Sequence, residues 1–375
     1  MDALDKALEK NGADAFVMIG SSDNADMRYL THFITTDPVV YIKKKGEEGV
    51  IVVSQMEYER AGREAIVPVI TRAEAGLIRI LDEEPDRWRA MARMIAEYVK
   101  GGVLVPLMFP YGLGIGISEY SRIIVDNGTI GMMRAKKRRD EIVSIQHVQR
   151  ATEAAMELAI DLIRSSKPKK GILFRGRDPL TSEAVQLVIR ELLQKKGCNA
   201  WDTIVSCGKD TALPHVRGSG PLQECEPIVI DISPRDEASG YYSDMTRTVS
   251  KGIPESEIRE MYIAVRDAQD LAAACIKPGI PGSTVHQAVV DLFKERGYTT
   301  GTEGFTHNLG HGVGLEVHEL PTLGPGGEKL VRGNVITNEP GLYYNRFGGV
   351  RIENIGVVSR TGHRCLTQFP RELVI

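Results

Sequence analysis

The sequence predicts an α+β protein in which an internally duplicated C-terminal domain follows a smaller α/β domain. Its 375 residues, 42% of them hydrophobic, are enough for two hydrophobic cores. Helical and strand patterns alternate over the first 130 residues. After that, two helices followed by two strands occur twice in the same order, which indicates a duplication with pseudo-twofold symmetry.

The N-terminal domain is predicted to span residues 1–133. Its elements follow from apolar residues that recur with a period of two in strands and about 3.6 in helices. In order, the prediction is a helix over DALDKALEK, strands AFVMI, VVYIKK and VIVV, helices near 55–65 and 86–99, a strand at 103–105 and a helix from Ser118.

The basic run RAKKRR, residues 134–139, marks the change to the C-terminal domain, residues 134–375. We interpret the run as a solvated linker that leads into a helix. The elements predicted after it are, in order, helices at 140–165 and 181–196, a strand with a loop at 202–216, two strands around PRDEASG, helices at 254–275 and 283–296, a strand with a histidine-bearing loop at 304–318, and two strands around a glycine-containing turn.

The composition excludes several classes of function. A formal net charge of −3 and a pI near 6.3 give no field that would attract nucleic acid. No window approaches 18 consecutive apolar residues and the charged N-terminus does not resemble a secretory signal, so no membrane partner is expected. Five cysteines without a CxxC pair are typical of reduced thiols, which predicts a cytoplasmic location.

Two acidic residues lie in strand patterns of the first repeat. Asp231 interrupts the apolar run EPIVIDIS, where an unpaired carboxylate is costly to bury. A hairpin with its pivot near residue 237 or 238 would place Asp231 directly opposite Asp244, with their Cβ atoms about 5 Å apart. Like charges at that distance repel, so something must compensate for them. A single pair of this kind is open to two other interpretations, a protonated couple or a misread register.

The second repeat, VITNEPGLYYNRFGGVRIENIGVV, has the same arrangement. A pivot near residue 346 sets Glu339 opposite Glu353, and Arg351 lies on the same face by the period of two. Two facing acid pairs from duplicated halves indicate bound cations. Four carboxylates with one imidazole suit two divalent ions about 3.5–4 Å apart. This oxygen-rich set favours Mn²⁺ or Co²⁺, with Zn²⁺ and Fe²⁺ as alternatives.

The stretch THNLGHGVGLEVHE, residues 306–319, contains three histidines. His307 and His311 are four residues apart, the spacing at which a helix presents two ligands on one face. The interleaved glycines disfavour a helix here. On an extended or turning backbone, these two histidines and His318 can have different roles.

Five motifs occur in order along the C-terminal domain: PHVRGSG, VIDIS with GYYSDMTRT, HNLGHGVGLEVHE, ITNEPG and VRIEN. They resemble the motifs of the metallopeptidases with the pita-bread fold, a family that includes prolidases, X-Pro aminopeptidases, methionine aminopeptidases and creatinases. The resemblance covers most of residues 134–360 and implies the pita-bread fold for the C-terminal domain. In the N-terminal domain, DNADMRYLTHF resembles the family's Asn-x-x-Tyr-Leu-Thr-Gly-Phe segment, with His32 where glycine is usual.

The resemblance implies a set of five metal ligands. It makes Asp231 a ligand of one metal ion, and His311 and Glu339 ligands of the other. It makes Asp244 and Glu353 bridges between the two ions.

The resemblance also implies catalytic and supporting residues. His215 and His318 would stand near the substrate carbonyl and the leaving group, and Glu339 would carry the proton between nucleophile and leaving nitrogen. His307 would lie behind the site, and Arg351 would hold a carboxylate without binding metal.

The N-terminal domain resembles those of prolidases and X-Pro aminopeptidases, so the predicted activity is hydrolysis of X-Pro dipeptides by a homodimer. The expected nucleophile is a hydroxide that bridges the two metal ions of each subunit. An X-Pro aminopeptidase acting on longer peptides is the main alternative. A creatinase-like amidinohydrolase and a metal-free peptide-binding protein are more remote, because both usually lack the full ligand set.

Overall fold

A computed structural model describes residues 2–375 of the chain. The chain divides into two compact units, Met1–Arg134 and Ala135–Ile375. Within the described residues, no helix is both long enough and apolar enough to cross a lipid bilayer.

The first unit is built around one sheet with the strand order β4-β3-β2-β1-β5-β6. Its strands are β1 Ala15–Gly20, β2 Val39–Lys44, β3 Val50–Val53, β4 Val69–Thr71, β5 Val103–Val105 and β6 Ile123–Val125. Its helices are α1 Ala3–Asn11, α2 Ala25–Thr31, α3 Tyr58–Glu64, α4 Leu77–Leu81, α5 Arg87–Val99, α6 Tyr111–Ser118 and α7 Thr129–Ala135. The central strands β1, β2 and β3 are antiparallel, and the outer pairs are parallel.

Alternate residues of the central strands face two different cores. In β1, Ala15 and Val17 belong to a cluster that packs against α4, α5 and α6, whereas Phe16 and Met18 pack against α1, α2 and α3. The strand period of two therefore puts apolar side chains on both faces of the sheet. Helices cover both faces, which is the α/β arrangement that the sequence predicts.

The helix predicted to begin at Ser118 is wrong, because α6 ends at that residue. Three glycines within YGLGIGIS argue against a helix by propensity alone. The tertiary contact outweighs this, since a Cβ added to Gly116 would lie 2.9 Å from the Cβ of Ala92 in α5. The glycine lets α5 and α6 approach closely, and packing then stabilises a helix of low intrinsic propensity.

The second unit contains two pairs of long helices and several small sheets. The helices are α8 Arg139–Ser165, α9 Ser182–Lys195, α10 Ser256–Cys275 and α11 Gly282–Glu295, with a 3-10 turn at Gly208–Ala212. The strands of the first half are β7 Lys167–Lys169, β8 Ile172–Arg175, β9 Asp178–Pro179, β10 Cys198–Asn199, β11 Ile204–Cys207, β12 Ile228–Ile232, β13 Arg235–Asp236 and β14 Met245–Val249. Those of the second half are β15 Gly310–Gly312, β16 Glu319–Leu323, β17 Val335–Asn338, β18 Gly341–Tyr344, β19 Gly348–Arg351, β20 Asn354–Val358 and β21 His363–Cys365.

The two halves repeat the same antiparallel motif after their helix pairs. The first half forms the sheet β11-β12-β14, and β15-β17-β20 form the centre of the sheet of the second half. Hydrogen bonds join the two motifs: Glu353 N donates to Thr246 O at 3.0 Å, and Thr248 Oγ1 donates to Arg351 O at 2.9 Å. The duplication therefore brings the two acidic hairpins together.

The interpretation of RAKKRR as a solvated linker is wrong for two of its residues. Arg134 is buried and lies 2.6 Å from Asp26. Lys137 is buried and lies 2.8 Å from Glu319. A buried cation is tolerated where it has a carboxylate partner, and both partners here are more than 100 residues away in the sequence.

Candidate metal centre

The first acidic hairpin has a different register from the one predicted. Asp231 in β12 pairs with Thr246 in β14, not with Asp244. Asp236 N donates to Tyr241 O at 2.9 Å, and Arg235 forms a bridge with Tyr242, so the turn is centred between residues 238 and 239, one residue later than predicted. A shift of one residue in the pivot moves the partner by two, so both aspartates remain on one face of the hairpin.

The second acidic hairpin has the predicted register. Asn338 pairs with Asn354 on one side of the acids, and Gly341 pairs with Arg351 on the other. Both pairings belong to a single register that sets Glu339 opposite Glu353. The predicted pivot at residue 346 is therefore confirmed.

His311 brings the two hairpins into one cluster. It lies in β15, and it presents a ligand atom within 4.8 Å of ligand atoms of Asp244 and Glu353. Its Nε2 is 3.1 Å from Glu339 Oε1 and 3.8 Å from Asp244 Oδ2. Its Nδ1 is 3.0 Å from the carbonyl oxygen of Gly312, which can only accept, so Nδ1 donates and Nε2 faces the carboxylates.

The ionisation of the cluster is dominated by crowding of buried acids. Burial raises the pKa of Asp244 well above its ordinary value, and the charge of Asp231 raises it further. Burial and the charge of Asp244 do the same to the pKa of Glu353. Burial alone would raise the pKa of Glu339, but the hydrogen bond and charge of His311 lower it to about 2.

The same contact acts on the imidazole. Burial alone would lower the pKa of His311, but the hydrogen bond and charge of Glu339 raise it to about 9. In the metal-free protein the raised pKa values of Asp244 and Glu353 favour their protonated forms, and the opposite pKa shifts of His311 and Glu339 favour a protonated imidazole beside an ionised carboxylate. Divalent cations would take the place of these protons.

The donor set fits divalent cations. Glu353 Oε1 is buried and has no hydrogen-bond partner within residues 2–375, while Oε2 of the same group accepts from Thr246 Oγ1 at 2.8 Å. A buried carboxylate oxygen without a donor is costly, which is resolved if a cation binds there. Asp244, Glu353 and His311 offer ligand atoms within 4.8 Å of one another, and carboxylates with an imidazole match the ligands that Mn²⁺, Co²⁺ and related ions accept.

Arg351 connects Asp231 to groups outside the cluster. Its Nη2 donates to Asp231 Oδ2 at 2.5 Å, and its Nη1 donates to Tyr343 Oη at 2.9 Å. Both nitrogens also lie 3.4–3.5 Å from the carbonyl oxygen of Pro214, the residue before His215. One guanidinium thus holds an acidic side chain and the loop that carries His215.

Tyr343 is a site residue that the sequence reasoning missed. Burial raises its pKa to about 12, so the phenol stays protonated. It accepts from Arg351 and lies 2.9 Å from His307 Nε2, while His307 Nδ1 lies 2.7 Å from Asn308 O. The period of two from Glu339 through Gly341 to Tyr343 was the signal that could have found it.

The two other predicted catalytic histidines, His318 and His215, lie on the solvent-exposed side of the cluster. The His318 ring centroid is 4.3 Å from that of His311, and the His318 side chain is exposed. Partial burial and the charge of His311 lower the pKa of His318. His215 is exposed as well, and its charge acts on both His318 and His307. These side chains are placed to meet a ligand that enters from solvent.

Arg247 lies behind Glu353 and is a second group that the sequence reasoning missed. It is fully buried, and burial lowers its pKa to about 10. Its guanidinium donates only to neutral oxygens among its described partners: the carbonyls of Thr246, Glu353, Phe369 and Pro370 and the side chain of Asn354. It fixes the backbone of Glu353 against the segment near residue 370.

Comparison with known proteins decides the family. The model of metallopeptidase family M24 matches residues 143–360, more than half of the chain. The chain belongs to metallopeptidase family M24. The model of the creatinase/prolidase N-terminal domain matches residues 1–103 of this M24 protein. The family resemblance and the fold class predicted from the sequence are confirmed, and the assignment identifies a peptidase that depends on divalent metal ions.

Named relatives align with this M24 protein over its full length. The Xaa-Pro dipeptidase of Pyrococcus furiosus is 29% identical over 380 residues, covering 100% of this chain and 99% of the relative. The Xaa-Pro dipeptidase of Pyrococcus horikoshii is 30% identical, covering 98% and 96%.

Solved structures show the same likeness. The prolidase from Pyrococcus furiosus superposes with a TM-score of 0.82 at 27% identity, covering 98% of this chain and 100% of that chain. The X-Pro aminopeptidase from Thermotoga maritima superposes with a TM-score of 0.80 at 25% identity, covering 99% and 100%. Both of these neighbours therefore share the fold of this M24 protein along the whole chain.

Proposed function

We propose that this protein hydrolyses Xaa-Pro dipeptides with the help of two divalent metal ions. The observation that carries the proposal is the convergence of the two acidic hairpins on His311, around a buried carboxylate oxygen of Glu353 that lacks a donor within the described chain. The full-length relatives named Xaa-Pro dipeptidase supply the substrate class. The proposed metal ligands are Asp231, Asp244, His311, Glu339 and Glu353.

The nature of the ligands favours particular ions. Carboxylate oxygens with a single imidazole suit Mn²⁺ or Co²⁺ better than Ca²⁺, which takes an all-oxygen shell. Zn²⁺ and Fe²⁺ accept the same donors and are the alternatives. We therefore propose Mn²⁺ or Co²⁺ as the activating ions.

Each remaining residue has a task in the proposed reaction. The bound ions would polarise the scissile carbonyl and lower the pKa of the attacking water. Glu339, beside His311, takes the proton from that water and delivers it to the proline nitrogen, which carries no hydrogen of its own in the imide. His318 and His215 donate to the carbonyl oxygen as negative charge develops on it. Arg351 keeps Asp231 and the His215 loop in place.

The test is an assay of hydrolysis after chelation. The protein would be stripped of metal, reloaded separately with Mn²⁺, Co²⁺ and Zn²⁺, and given an Xaa-Pro dipeptide, the reversed Pro-Xaa dipeptide and an Xaa-Pro-Yaa tripeptide. We expect cleavage of the Xaa-Pro dipeptide that depends on Mn²⁺ or Co²⁺. Absence of cleavage with every ion, or equal cleavage of the reversed dipeptide, would contradict the proposal.

An X-Pro aminopeptidase is the second candidate. The likeness to the X-Pro aminopeptidase from Thermotoga maritima favours it. The tripeptide in the same assay separates the two, because a dipeptidase must exclude a residue after proline whereas an aminopeptidase accepts one. Faster release of the first residue from the tripeptide than from the dipeptide would favour the aminopeptidase.

The sequence also predicts a homodimer and a cytoplasmic location, and both belong to this proposal. Light scattering of the purified protein measures the mass directly, and a value near 41.3 kDa, the mass of one chain, would contradict the homodimer. The five cysteines are free thiols, which agrees with a reducing compartment. Fractionation of the source cells tests the location.

A further inference from the structure

We propose that Lys137 and Glu319 form a positioning pair that aims His318 at the substrate. The inference rests on the proposed function, since it assigns His318 a task on the scissile bond. His318 lies at the end of the loop 313–318, which connects β15 to β16 and directly precedes Glu319. The pair acts through this loop.

The first observation is the burial of the ion pair. Lys137 Nζ lies 2.8 Å from Glu319 Oε2, and the two side chains are only 1% and 3% exposed. An ion pair removed from water to this extent holds its geometry, because separation of the charges would leave each of them unsolvated. The position of Glu319 is therefore firmly tied to that of Lys137.

The second observation is that the other oxygen of Glu319 holds the loop. Glu316 N donates to Glu319 Oε1 at 3.1 Å. The carboxylate also fills the space beside Gly314, where an added Cβ would lie 2.6 Å from Oε2. The backbone from Gly314 to Glu316 is thus wrapped around one carboxylate.

The third observation is that Lys137 is anchored by its own backbone. Lys137 N donates to Gly333 O at 2.9 Å, and Asn334 Nδ2 donates to Ala135 O at 2.8 Å. Gly333 and Asn334 directly precede β17, the strand that leads to Glu339. The pair therefore ties the loop to the backbone at the start of β17, the strand that leads to the proposed metal ligand Glu339.

The direction of His318 follows from these contacts. The Glu319 carboxylate is buried against the loop, and the neighbouring His318 is left exposed. Its ring centroid lies 4.3 Å from that of His311. Loss of the inward anchor would let His318 drift while leaving the metal ligands in place.

The experiment compares Lys137→Met with its matched control Lys43→Met. Lys43 is also buried, 4% exposed, and lies 2.8 Å from Asp5, but it belongs to the first unit. For Lys137→Met we expect kcat on an Xaa-Pro dipeptide to fall roughly ten- to a hundredfold, the cost of a displacement of about 1 Å. KM from the same kinetic assay should not change. Metal affinity, measured by calorimetry, and metal content, measured by elemental analysis, should not change either. Lys43→Met should lower the melting temperature and leave kcat as it is.

A double-mutant cycle with His318→Ala distinguishes positioning from general destabilisation. If the pair acts through His318, then Lys137→Met in the His318→Ala background lowers kcat no further. Additive losses would overturn the inference. Lys137→Arg keeps the positive charge and should retain most of the wild-type kcat. Glu319→Gln keeps an oxygen that accepts from Glu316 N but loses the negative charge. It provides the test if Lys137→Met does not fold.

The outcomes separate this inference from the proposed function. A wild-type protein that does not cleave Xaa-Pro peptides under any metal condition overturns the proposed function. A wild-type protein that cleaves them, with wild-type kcat in both Lys137→Met and Glu319→Gln, overturns the positioning pair alone.

Discussion

Asp244 carries a strong electrostatic conflict. It is buried, its pKa is raised by burial and by Asp231, and His311 and Glu353 are within ligand distance. The same residue is expected to cost stability in the metal-free protein and to provide affinity when metal is bound. These two effects can be separated by removing its charge without changing its shape.

We expect Asp244→Asn to raise the stability of the metal-free protein and to abolish stabilisation by added metal. The gain should be about 1 kcal/mol or more, because a tenfold change in the acid dissociation constant corresponds to about 1.4 kcal/mol. Urea unfolding with and without Mn²⁺ measures both effects. Asp161→Asn, which alters an exposed carboxylate, is the control and should change neither. A variant that is still stabilised by Mn²⁺ like the wild type would show that Asp244 is not a ligand.

The residues of the candidate site could be recognised only in part from the sequence. Asp231, Asp244, Glu339 and Glu353 stood out because acids interrupt apolar strands. Lys137 did not, since it is one of five basic residues in a row of six and its burial depends on Glu319, distant in the sequence. Charge runs are usually solvated, and the sequence contains no local sign that one member is buried.

Among the elements, the two hairpins show what fixes a register. The second has its turn at the pivot that its acid spacing suggests, so Glu339 faces Glu353. The first has its turn one residue later than predicted, centred between residues 238 and 239, where Asp236 N donates to Tyr241 O. A turn displaced by one residue shifts the pairing of the returning strand by two residues, which keeps each side chain on the same face of the hairpin. The predicted set of acids was therefore preserved, although the predicted pairing of Asp231 with Asp244 was wrong.

Helix α2 ends at an unusual residue. His32 has φ 55, in the left-handed region where glycine is favoured. This is the position at which the related families have glycine. We expect His32→Gly to stabilise the first unit by about 0.5–1 kcal/mol, because a non-glycine residue is strained in this conformation.

Thermal unfolding of His32→Gly and of the control His147→Gly measures this effect. His147 lies within α8, where glycine should instead destabilise by about 1 kcal/mol. A loss of stability in His32→Gly would mean that the contacts of the His32 side chain outweigh the backbone strain.

The whole molecule should respond strongly to metal, since binding to the folded state alone shifts the unfolding equilibrium. At a free ion concentration of about 1,000 times Kd, the expected stabilisation is about 4 kcal/mol. Calorimetric scans after chelation and after addition of Mn²⁺ measure it. If Asp231, Asp244, His311, Glu339 and Glu353 bind metal, the second unit melts at a higher temperature with Mn²⁺, while a scan that is unchanged by the ion contradicts the ligand set.

Acid stability depends on a histidine far from the metal centre. Burial lowers the pKa of His363 to about 4, and its Nε2 has no partner among residues 2–375. The unfolded chain, with a pKa near 6.5, binds the proton more readily than the folded protein does. The contribution of His363 is therefore complete above about pH 6.5 and is lost as the pH falls towards 4, by up to about 3 kcal/mol.

Urea unfolding between pH 7.5 and pH 5 tests this dependence. In His363→Phe, which keeps a ring but cannot titrate, the fall in stability over this range should be smaller than in the wild type. His147→Gln, an exposed replacement, should follow the wild type. Equal slopes in His363→Phe and wild type would assign the acid sensitivity to other groups.

Arg247 ties the segment near residue 370 to the backbone of Glu353, a proposed metal ligand. The carbonyls of Phe369 and Pro370 share one guanidinium with the carbonyl of Glu353. Substitutions in this segment, which contains no proposed ligand, are therefore expected to change metal affinity. In a deep mutational scan scored by Xaa-Pro cleavage at limiting manganese, insertions there should be depleted as strongly as substitutions of the proposed ligands.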